Sequence, residues 1–457
     1  MKPFDSTETL ITLKREHRTS RRSILEASSL GFGWLAFSAL HAAKPSMINP
    51  LAPRDPHFTP KAKRVIFMYM AGGPTHLDTF DFKPELKKQD GVNRLLGPVY
   101  DFQPRGKSGI MISDAFPELS KHADDLCLLN GMRTNNPGHQ QATVALHIGS
   151  EMFVRPSMGA WVVYGLGSEA EDLPGFVTID PIQDQGGAMN YGSAFLPATF
   201  QGTRLGSGAS GVPNLSGSLS ESAQRKQLDF IQKANRRLLD KQPSHPEIEG
   251  IIQSYEMAAK MQTSVPAVLD LDGEPDNIRA LYGLDDSTTE RFGTQCLMAR
   301  RMAEKGVRFI QLTSNGWDHH NNLRDALGGR AAAIDKPIAG LIADLKQRDM
   351  LKDTLIVWGG EFGRGTHGDN DVRNGRGHNA KGFSMWMCGG GVKGGMRYGS
   401  TDELGGEAVE GVMGTHDLHA TILHLLGLNH ERLTFKYAGR AFRLTDVAGE
   451  VHEKIIA

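Results

Sequence analysis

The order of apolar runs along the chain limits the possible folds more than any other feature of the sequence. The clearest run, RVIFMYM at 64–70, is continuous enough for a strand buried on both faces of a parallel sheet, and the turn sequence AGGP follows it. Stretches with helical spacing alternate with the later apolar runs, which lie at 126–129, 175–179, 307–313, 354–358 and 383–387. This alternation predicts an α/β fold, a three-layer α/β/α sandwich with a mostly parallel central sheet.

The first 43 residues are predicted to be a signal peptide rather than part of the fold. Arg21 and Arg22 are adjacent, and a modestly apolar stretch at 30–40 and two small residues follow them. A basic, then apolar, then small order is typical of export signals, and paired arginines indicate the twin-arginine route. The apolar stretch is too short for a membrane span, which needs about 20 residues. We therefore expect a periplasmic or extracellular protein with no membrane span.

The rest of the chain is predicted to form one domain. Residues 44–62 are rich in proline and are expected to be extended, and the domain is expected at 63–450. A segment at about 181–218 is rich in Gly, Ser, Pro and Asn and has little periodicity. We interpret this segment as an irregular insertion close to the functional site of the domain.

The charge and cysteine content argue against a nucleic-acid-binding protein and against a protein built on disulfides or a Cys-rich metal motif. The 51 Lys and Arg residues nearly balance the 52 Asp and Glu residues, so the composition does not indicate the basic face of a nucleic-acid-binding protein. Cys127, Cys296 and Cys388 are far apart, which argues against a disulfide framework and a Cys-rich metal motif. HExxH, GxSxG and GxxxxGK[ST] motifs are also absent from the sequence.

Histidine and carboxylate residues follow the predicted strands in several separate segments. Ligands bind at the carboxyl ends of the strands in sheets of this kind. The residues concerned are His76, Asp78 and Asp81, then Asp318, His319 and His320, then Glu361 and Arg364 with Arg376 and His378, and finally His416, Asp417 and His419. Imidazole together with carboxylate suits zinc, iron or manganese, whereas carboxylates alone would suit calcium or magnesium. The joint pattern predicts a metal site.

Each of these segments also has a structural explanation when it is taken alone. A single histidine after a strand is more often a structural residue than a ligand. Asp417 could cap the helix that follows it, and Asp81 precedes a turn that contains proline. The metal-site prediction therefore depends on four segments agreeing, and not on any one residue.

Several segments together resemble a known bacterial family. They are GGPTHLDTFDFKP, GWDHH, WGGEFGR, GRGHN and THDLHATILHLLGL, and with the export signal they resemble domain-of-unknown-function family 1501 over nearly the whole mature chain. That family is placed in the alkaline phosphatase and sulfatase superfamily. The resemblance therefore implies an alkaline-phosphatase-like fold and a site with one or two divalent ions, zinc, iron, manganese or calcium.

The resemblance also implies roles for individual positions. The implied metal ligands are Asp318 with His319 or His320, Glu361 with His378, His416, and His76 or Asp78 in place of the first acid. The nucleophile of the superfamily would fall near His139 or Gln140, and neither residue type is a usual nucleophile. Thr143 lies one turn further into the helix, and Thr75 is a second hydroxyl to consider.

These assignments predict an exported, metal-dependent hydrolase of phosphate or sulfate esters without a usual Ser, Thr or Cys nucleophile. Arg364 or Arg376 would hold the anion, and His139 would act as an acid or base. The expected partner is an anionic small molecule or glycan, and not nucleic acid. The alternative is a non-catalytic, sulfatase-like relative that binds a glycan or a partner protein at the cell surface.

Overall fold

The computed structural model describes residues 49–207, 221–241, 246–369 and 374–457. The predicted signal peptide at 1–43 and the last part of the predicted insertion, 208–218, lie outside the described residues. Residues 50–457 form one compact unit.

The strands and helices alternate along this unit. The strands are β1 (Arg64–Ala71), β2 (Phe102–Arg105), β3 (Ile110–Ser113), β4 (Leu126–Met132), β5 (Phe176–Ile179), β6 (Thr203–Leu205), β7 (Phe309–Asn315), β8 (Thr354–Gly359), β9 (Gly363–Gly368), β10 (Arg376–Asn379), β11 (Phe383–Cys388), β12 (Met396–Tyr398), β13 (Ser400–Thr401), β14 (Ala408–Glu410), β15 (Phe435–Tyr437) and β16 (Arg440–Phe442). The α-helices are α1 (Pro84–Lys88), α2 (His139–Ile148), α3 (Met158–Leu166), α4 (Glu221–Lys241), α5 (Pro246–Leu269), α6 (Asp276–Tyr282), α7 (Glu290–Glu304), α8 (Leu323–Gln347) and α9 (Thr415–Leu425). Short 3₁₀ helices lie at His76–Asp78, Val92–Arg94, Leu119–Asp125, Gly187–Tyr191, Ala198–Phe200, Leu351–Asp353 and Glu453–Ile455.

The central sheet has eight strands in the order β12–β4–β11–β8–β1–β7–β5–β6. Neighbouring strands run parallel except where β11 pairs with β4 and β8. The predicted mostly parallel sheet is therefore confirmed. Because β1 lies between β8 and β7, the carboxyl ends of these three strands meet at one edge of the sheet.

Strand β1 shows how the sequence builds the two core layers. Its side chains alternate, because successive residues of a strand point to opposite faces. Ile66, Met68 and Met70 belong to a core cluster shared with α7 and α8. Val65, Phe67 and Tyr69 belong to a second cluster shared with α3 and α9. Helices therefore cover both faces of the sheet, which confirms the three-layer α/β/α sandwich.

The predicted insertion contributes to the sheet edge. Its described part, residues 181–207, contains two 3₁₀ turns and also strand β6, which pairs in parallel with β5. The sequence pattern concealed this strand because it is only three residues long. The three cysteines are all buried. Within the described part of the chain, none of the helices is both long and apolar enough to cross a membrane.

Acid should destabilise the fold through a buried histidine of α2. Burial lowers the pKa of His147 from 6.5 to about 4, and its side chain lies between β1 and the helix with the Tyr69 ring 4.6 Å away. As the pH falls below 6.5, the unfolded chain takes up a proton before the folded chain does. The stabilisation from neutral His147 is therefore full above pH 6.5 and is lost progressively towards pH 4, by about 3 kcal/mol in all.

Thermal unfolding at pH 7 and at pH 5 tests this expectation. We expect His147→Leu to lose less stability between the two pH values than the wild-type chain does. His367→Leu, at an exposed position, serves as the matched control and should keep the wild-type dependence. An equal fall in stability for the wild-type chain and His147→Leu would contradict the assignment to this residue.

Candidate metal centre

The candidate site lies where the carboxyl ends of β1, β7 and β8 meet. The turn after β1 passes very close to the loop after β7: a Cβ atom at Gly72 would lie 2.6 Å from the backbone nitrogen of Asp318. The φ of Gly72 is +116°, which L side chains rarely adopt. Glu361, just after β8, accepts the Gly72 N–H at 3.0 Å through Oε1. The glycine-rich turn therefore allows Asp318 and Glu361 to approach each other.

Three imidazole rings surround the carboxylate of Asp318, and we call these four residues the histidine–Asp318 cluster. His139 begins α2, His320 lies in the loop after β7, and His378 lies in β10. The Nε2 atoms of His320 and His378 lie 2.9 Å and 3.4 Å from Asp318 Oδ1, and His139 Nε2 lies 3.3 Å from Oδ2. All three rings thus direct the same nitrogen towards one carboxylate.

An acceptor fixes the other ring nitrogen of each histidine. The Nδ1 atoms lie 2.6 Å from Glu361 Oε1 for His139, 2.5 Å from Asp369 Oδ2 for His320, and 2.7 Å from the Pro137 carbonyl oxygen for His378. A carbonyl or carboxylate oxygen can only accept, so Nδ1 carries the proton in each ring. The Nε2 lone pair of each neutral ring is then available to a metal.

Two of the ring nitrogens lie close enough to share a proton or a metal ion. The Nε2 atoms of His320 and His378 are 2.9 Å apart, and two lone pairs at that distance repel unless a proton or a metal ion lies there. His139 Nε2 is buried and makes no hydrogen bond. Ligand atoms of His139, Asp318 and His378 all lie within 4.8 Å of one another. These residues therefore fit a divalent metal, and imidazole with carboxylate suits zinc, iron or manganese.

The electrostatics of the cluster also favour a cation. Burial alone would raise the pKa of Asp318, but its interactions with His139, His378 and Arg364 hold that pKa well below its usual range. Burial alone would lower the pKa of His139, and interactions with Asp318 and Glu361 instead raise it to about 9. The two carboxylates that bind a proton so firmly at His139 would attract a metal ion for the same reason.

Arg364 supports Asp318 and is not open to a substrate. Its guanidinium is fully buried, and Nη2 donates to Asp318 Oδ1 at 2.5 Å. Its other donors reach the carbonyl oxygens of Gly72, Gly73 and Arg376, and Nη1 also lies 3.4 Å from His320 Nε2. The predicted role in holding an anion is corrected, because no donor is left for a bound anion.

Three predicted metal ligands have other partners. Asp78 is buried against the Arg376 guanidinium, with Oδ2 2.8 Å from Nε. His76 Nε2 lies 2.9 Å from the Gly405 carbonyl oxygen, and His416 Nε2 lies 2.8 Å from that of Gly149. The structure does not bring these side chains into the histidine–Asp318 cluster, which corrects their assignment as ligands.

Four other predicted site residues are buried away from solvent. Thr75 donates its hydroxyl to Asp78, and the Thr143 hydroxyl bonds to the Tyr69 hydroxyl at 2.7 Å, so neither is placed as a nucleophile or a substrate contact. Arg376 is committed to Asp78 and cannot hold an anion. His319 is buried, and burial lowers its pKa to about 4; it stays neutral and lies outside the cluster.

The contacts of the two acidic residues are structural, although Asp417 is the third residue of α9 and not its N-cap. Asp417 Oδ2 accepts the backbone N–H of Gly414 at the start of α9, as a helix cap does. Asp81 is buried, 3.1 Å from Lys83 Nζ, and accepts the Thr401 hydroxyl at 2.5 Å.

A polar cleft of about 600 Å³ opens beside Asp318. It is lined by Ala71, Gly72, Asp180, Pro181, Ile182, Gln183, Asp184, Gln185, Arg204, Leu205, Gly206, Arg291, Asn315, Gly316 and Asp318. The described part of the predicted insertion supplies much of this lining. Arg291 pairs with Asp180 at 3.3 Å, whereas Arg204 bonds the neutral Gln183 side chain at 3.1 Å. The Gln183 amide is uncharged, so it does not neutralise the positive charge that Arg204 brings into the cleft.

Sequence reasoning missed the residues that fix the rings. Asp369 holds His320, the Pro137 carbonyl holds His378, and Tyr69 donates to Glu361 Oε2 at 3.0 Å. Tyr69 offered one signal, because a hydroxyl near the end of an otherwise apolar strand needs a buried partner. A backbone carbonyl such as that of Pro137 leaves no signal in the sequence.

A family model matches most of the chain. The family described as a protein of unknown function, DUF1501, matches residues 62–456. No curated protein sequence gives a match.

Solved structures that resemble the chain include alkaline phosphatases and sulfatases. The alkaline phosphatase from the Antarctic bacterium TAB5 is 10% identical and has a TM-score of 0.36, over 81% of this chain and 99% of that chain. The PsFucS1 sulfatase from Pseudoalteromonas sp. is 15% identical and has a TM-score of 0.36, over 81% and 68%. The C-terminal periplasmic domain of EcEptC from Escherichia coli, in complex with Zn, is 8% identical with the same TM-score, over 88% and 99%.

Proposed function

The chain belongs to the DUF1501 family of proteins of unknown function, and we propose that it is a metal-dependent hydrolase of phosphate or sulfate esters. One observation carries the proposal. Three histidines direct Nε2 towards the carboxylate of Asp318, which also lines a polar cleft. A set of purely structural histidines would not need three matching Nδ1 acceptors and one shared carboxylate.

The residues of the histidine–Asp318 cluster and their neighbours have separate roles in this proposal. His139, His378 and Asp318 would hold the ion, with His320 beside them. When bound, such an ion polarises an ester oxygen and lowers the pKa of a coordinated water. Arg364 keeps Asp318 ionised and oriented. We propose that water attacks the ester directly, because the hydroxyls of Thr75 and Thr143 are buried and already bonded.

The residues that line the cleft favour a polar substrate. Amide and carboxylate side chains line it with two arginines, and no aromatic residue is among its lining residues. Arg204 is the arginine that could donate to an anionic group, since Arg291 already faces Asp180. An anionic ester of a hydroxyl-rich compound therefore suits the lining better than a lipid or a nucleotide base does. The paired Arg21 and Arg22 further support a proposed site of action outside the cytoplasm.

Metal analysis and a substrate panel test this proposal together. The chain should be produced in medium containing zinc, iron and manganese, purified without chelators and measured for bound metal. We expect about one divalent ion per chain, and turnover of at least one member of a panel of aryl phosphates, phosphodiesters and sulfates. A chelator should abolish the turnover, and adding back the ion should restore it.

Two outcomes would contradict the proposal in different ways. A chain that retains less than about a tenth of an equivalent of metal would rule out the metal centre, because the ligand set should hold it through purification. A metal-loaded chain that turns over no ester would favour the non-catalytic alternative, a relative that binds a glycan or a partner protein.

A further inference from the structure

We propose that Glu361 is a positioning residue for His139, held in place by Tyr69 and Thr143, and not a metal ligand as the sequence predicted. The inference rests on the proposed metal centre and assigns a task to three residues that do not themselves face the cleft. Glu361, Tyr69 and Thr143 are all fully or almost fully buried. We call them, with His139, the Glu361 relay.

The carboxylate of Glu361 is already occupied by protein donors. Its Oε1 atom lies 2.6 Å from His139 Nδ1 and 3.0 Å from the Gly72 nitrogen. Its Oε2 atom accepts the Tyr69 hydroxyl at 3.0 Å and lies 3.3 Å from the Gly72 nitrogen. Three donors therefore converge on the two oxygens. Coordination of a metal by Glu361 would require at least one of these donors to lose its partner, and leaving a buried donor unpaired is unfavourable.

The direction of each hydrogen bond in the relay is fixed. The carboxylate can only accept, so the Tyr69 hydroxyl uses its one proton on Glu361. The Tyr69 oxygen must then accept the proton of the Thr143 hydroxyl, 2.7 Å away. Burial raises the pKa of Tyr69 well above its usual value, so its hydroxyl stays protonated and remains a donor. The Thr143 hydroxyl thus donates to the Tyr69 oxygen, and the Tyr69 hydroxyl donates to Glu361.

The relay determines what His139 offers to a metal. Because Glu361 binds the Nδ1 proton, the neutral ring keeps its Nε2 lone pair, and Nε2 is the atom that faces Asp318. The Phe362 ring lies 4.8 Å from the imidazole and limits its rotation from the side. A histidine held in this way already presents Nε2 to a metal, so its side chain does not have to be ordered when the metal binds. Partners of this kind, beyond the ligands themselves, typically change metal affinity by about 10–100-fold.

Metal affinity of the relay variants tests the inference. We expect Glu361→Gln to weaken zinc binding by about 10–100-fold, as measured by competition with a chelator of known affinity. Tyr69→Phe removes one hydrogen bond from the relay and should weaken binding by about fivefold. The visible spectrum of the cobalt-loaded protein gives a second readout, and it should change in Glu361→Gln because the ring of His139 is no longer held.

Matched variants separate positioning from a general loss of stability. Asp335 is a buried carboxylate that accepts two backbone N–H groups, and Tyr282 is a buried tyrosine that donates to Asp344 at 2.9 Å. Asp335→Asn and Tyr282→Phe should lower stability as the relay variants do. They should leave the zinc affinity and the cobalt spectrum unchanged, because neither residue contacts the histidine–Asp318 cluster.

The possible failures are distinguishable. If the wild-type chain binds zinc and Glu361→Gln binds it equally well, the relay has no positioning role, and the proposed function stands. If Glu361→Gln loses zinc completely, as Asp318→Ala is expected to, Glu361 is a ligand and the inference is wrong. If the wild-type chain binds no metal, both the inference and the proposed function fail.

Discussion

Replacing Asp318 with alanine is expected to remove the bound metal and, with it, the turnover. Among the residues that the structure describes, Asp318 is the one carboxylate that faces all three Nε2 atoms, at 2.9–3.4 Å. Without it, the buried guanidinium of Arg364 would lose the carboxylate to which it donates, and the uncompensated positive charge would repel a cation. The loss of metal affinity should exceed the roughly 10–100-fold that removal of an outer partner causes.

The Asp318 prediction is checked by metal content after dialysis, with Asp325→Ala as the matched control. Asp325 lies in the first turn of α8, soon after the same loop, and is exposed. The control should retain the full metal content and turnover. Asp318→Asn keeps the shape of the side chain and should also lose metal, since the charge is what the cation requires. If Asp318→Ala keeps wild-type metal content, the cluster has been wrongly assigned.

The location of the site could be predicted from the sequence because it follows from the topology of a parallel sheet. The apolar runs at 64–70, 307–313 and 354–358 were predicted as strands, and they lie side by side as β1, β7 and β8. Parallel strands end at the same edge, so residues that follow them must meet. Asp318 lies shortly after β7 and Glu361 lies just after β8, so the two residues are close for this reason alone.

The role of each residue could not be predicted, because residue type does not reveal the partner. Asp78 and Asp318 are both carboxylates that follow a strand and that bond to arginine. Asp78 is fully enclosed by Arg376, which lies 298 residues further along the chain, whereas the side chain of Asp318 remains 43% exposed and faces three imidazoles. Only the tertiary structure decides which carboxylate balances an arginine and which can still accept a metal.

Histidines present the same difficulty in another form. His76 and His416 each bond to a backbone carbonyl oxygen through Nε2, so that this nitrogen carries a proton and is unavailable. In His139 and His378 the acceptor lies at Nδ1 instead, and Nε2 is left for an ion. The sequence shows a histidine in every case, and the choice of nitrogen depends on which chain segment packs beside the ring.

Replacing Asp78 with alanine is expected to destabilise the fold by about 3–5 kcal/mol without removing the metal. The Asp78 and Arg376 side chains are both completely buried, and two hydrogen bonds of 2.8 Å and 3.2 Å join them. Removing one partner leaves the other charge buried and uncompensated, which is the costly case for a buried ion pair. Asp78 also accepts the Thr75 hydroxyl and the Val99 N–H, and these bonds are lost with it.

Urea unfolding and metal analysis of the same variants separate the two roles considered for Asp78. The double variant Asp78→Leu with Arg376→Met should be clearly less destabilised than the two single changes predict by addition, because no charge is left unpaired. All variants that still fold should keep the wild-type metal content, since neither side chain contacts the histidine–Asp318 cluster through a ligand atom. If Asp78→Ala lost its metal but kept its stability, Asp78 would be a ligand after all, and the ion pair seen with Arg376 would have to open when the metal binds.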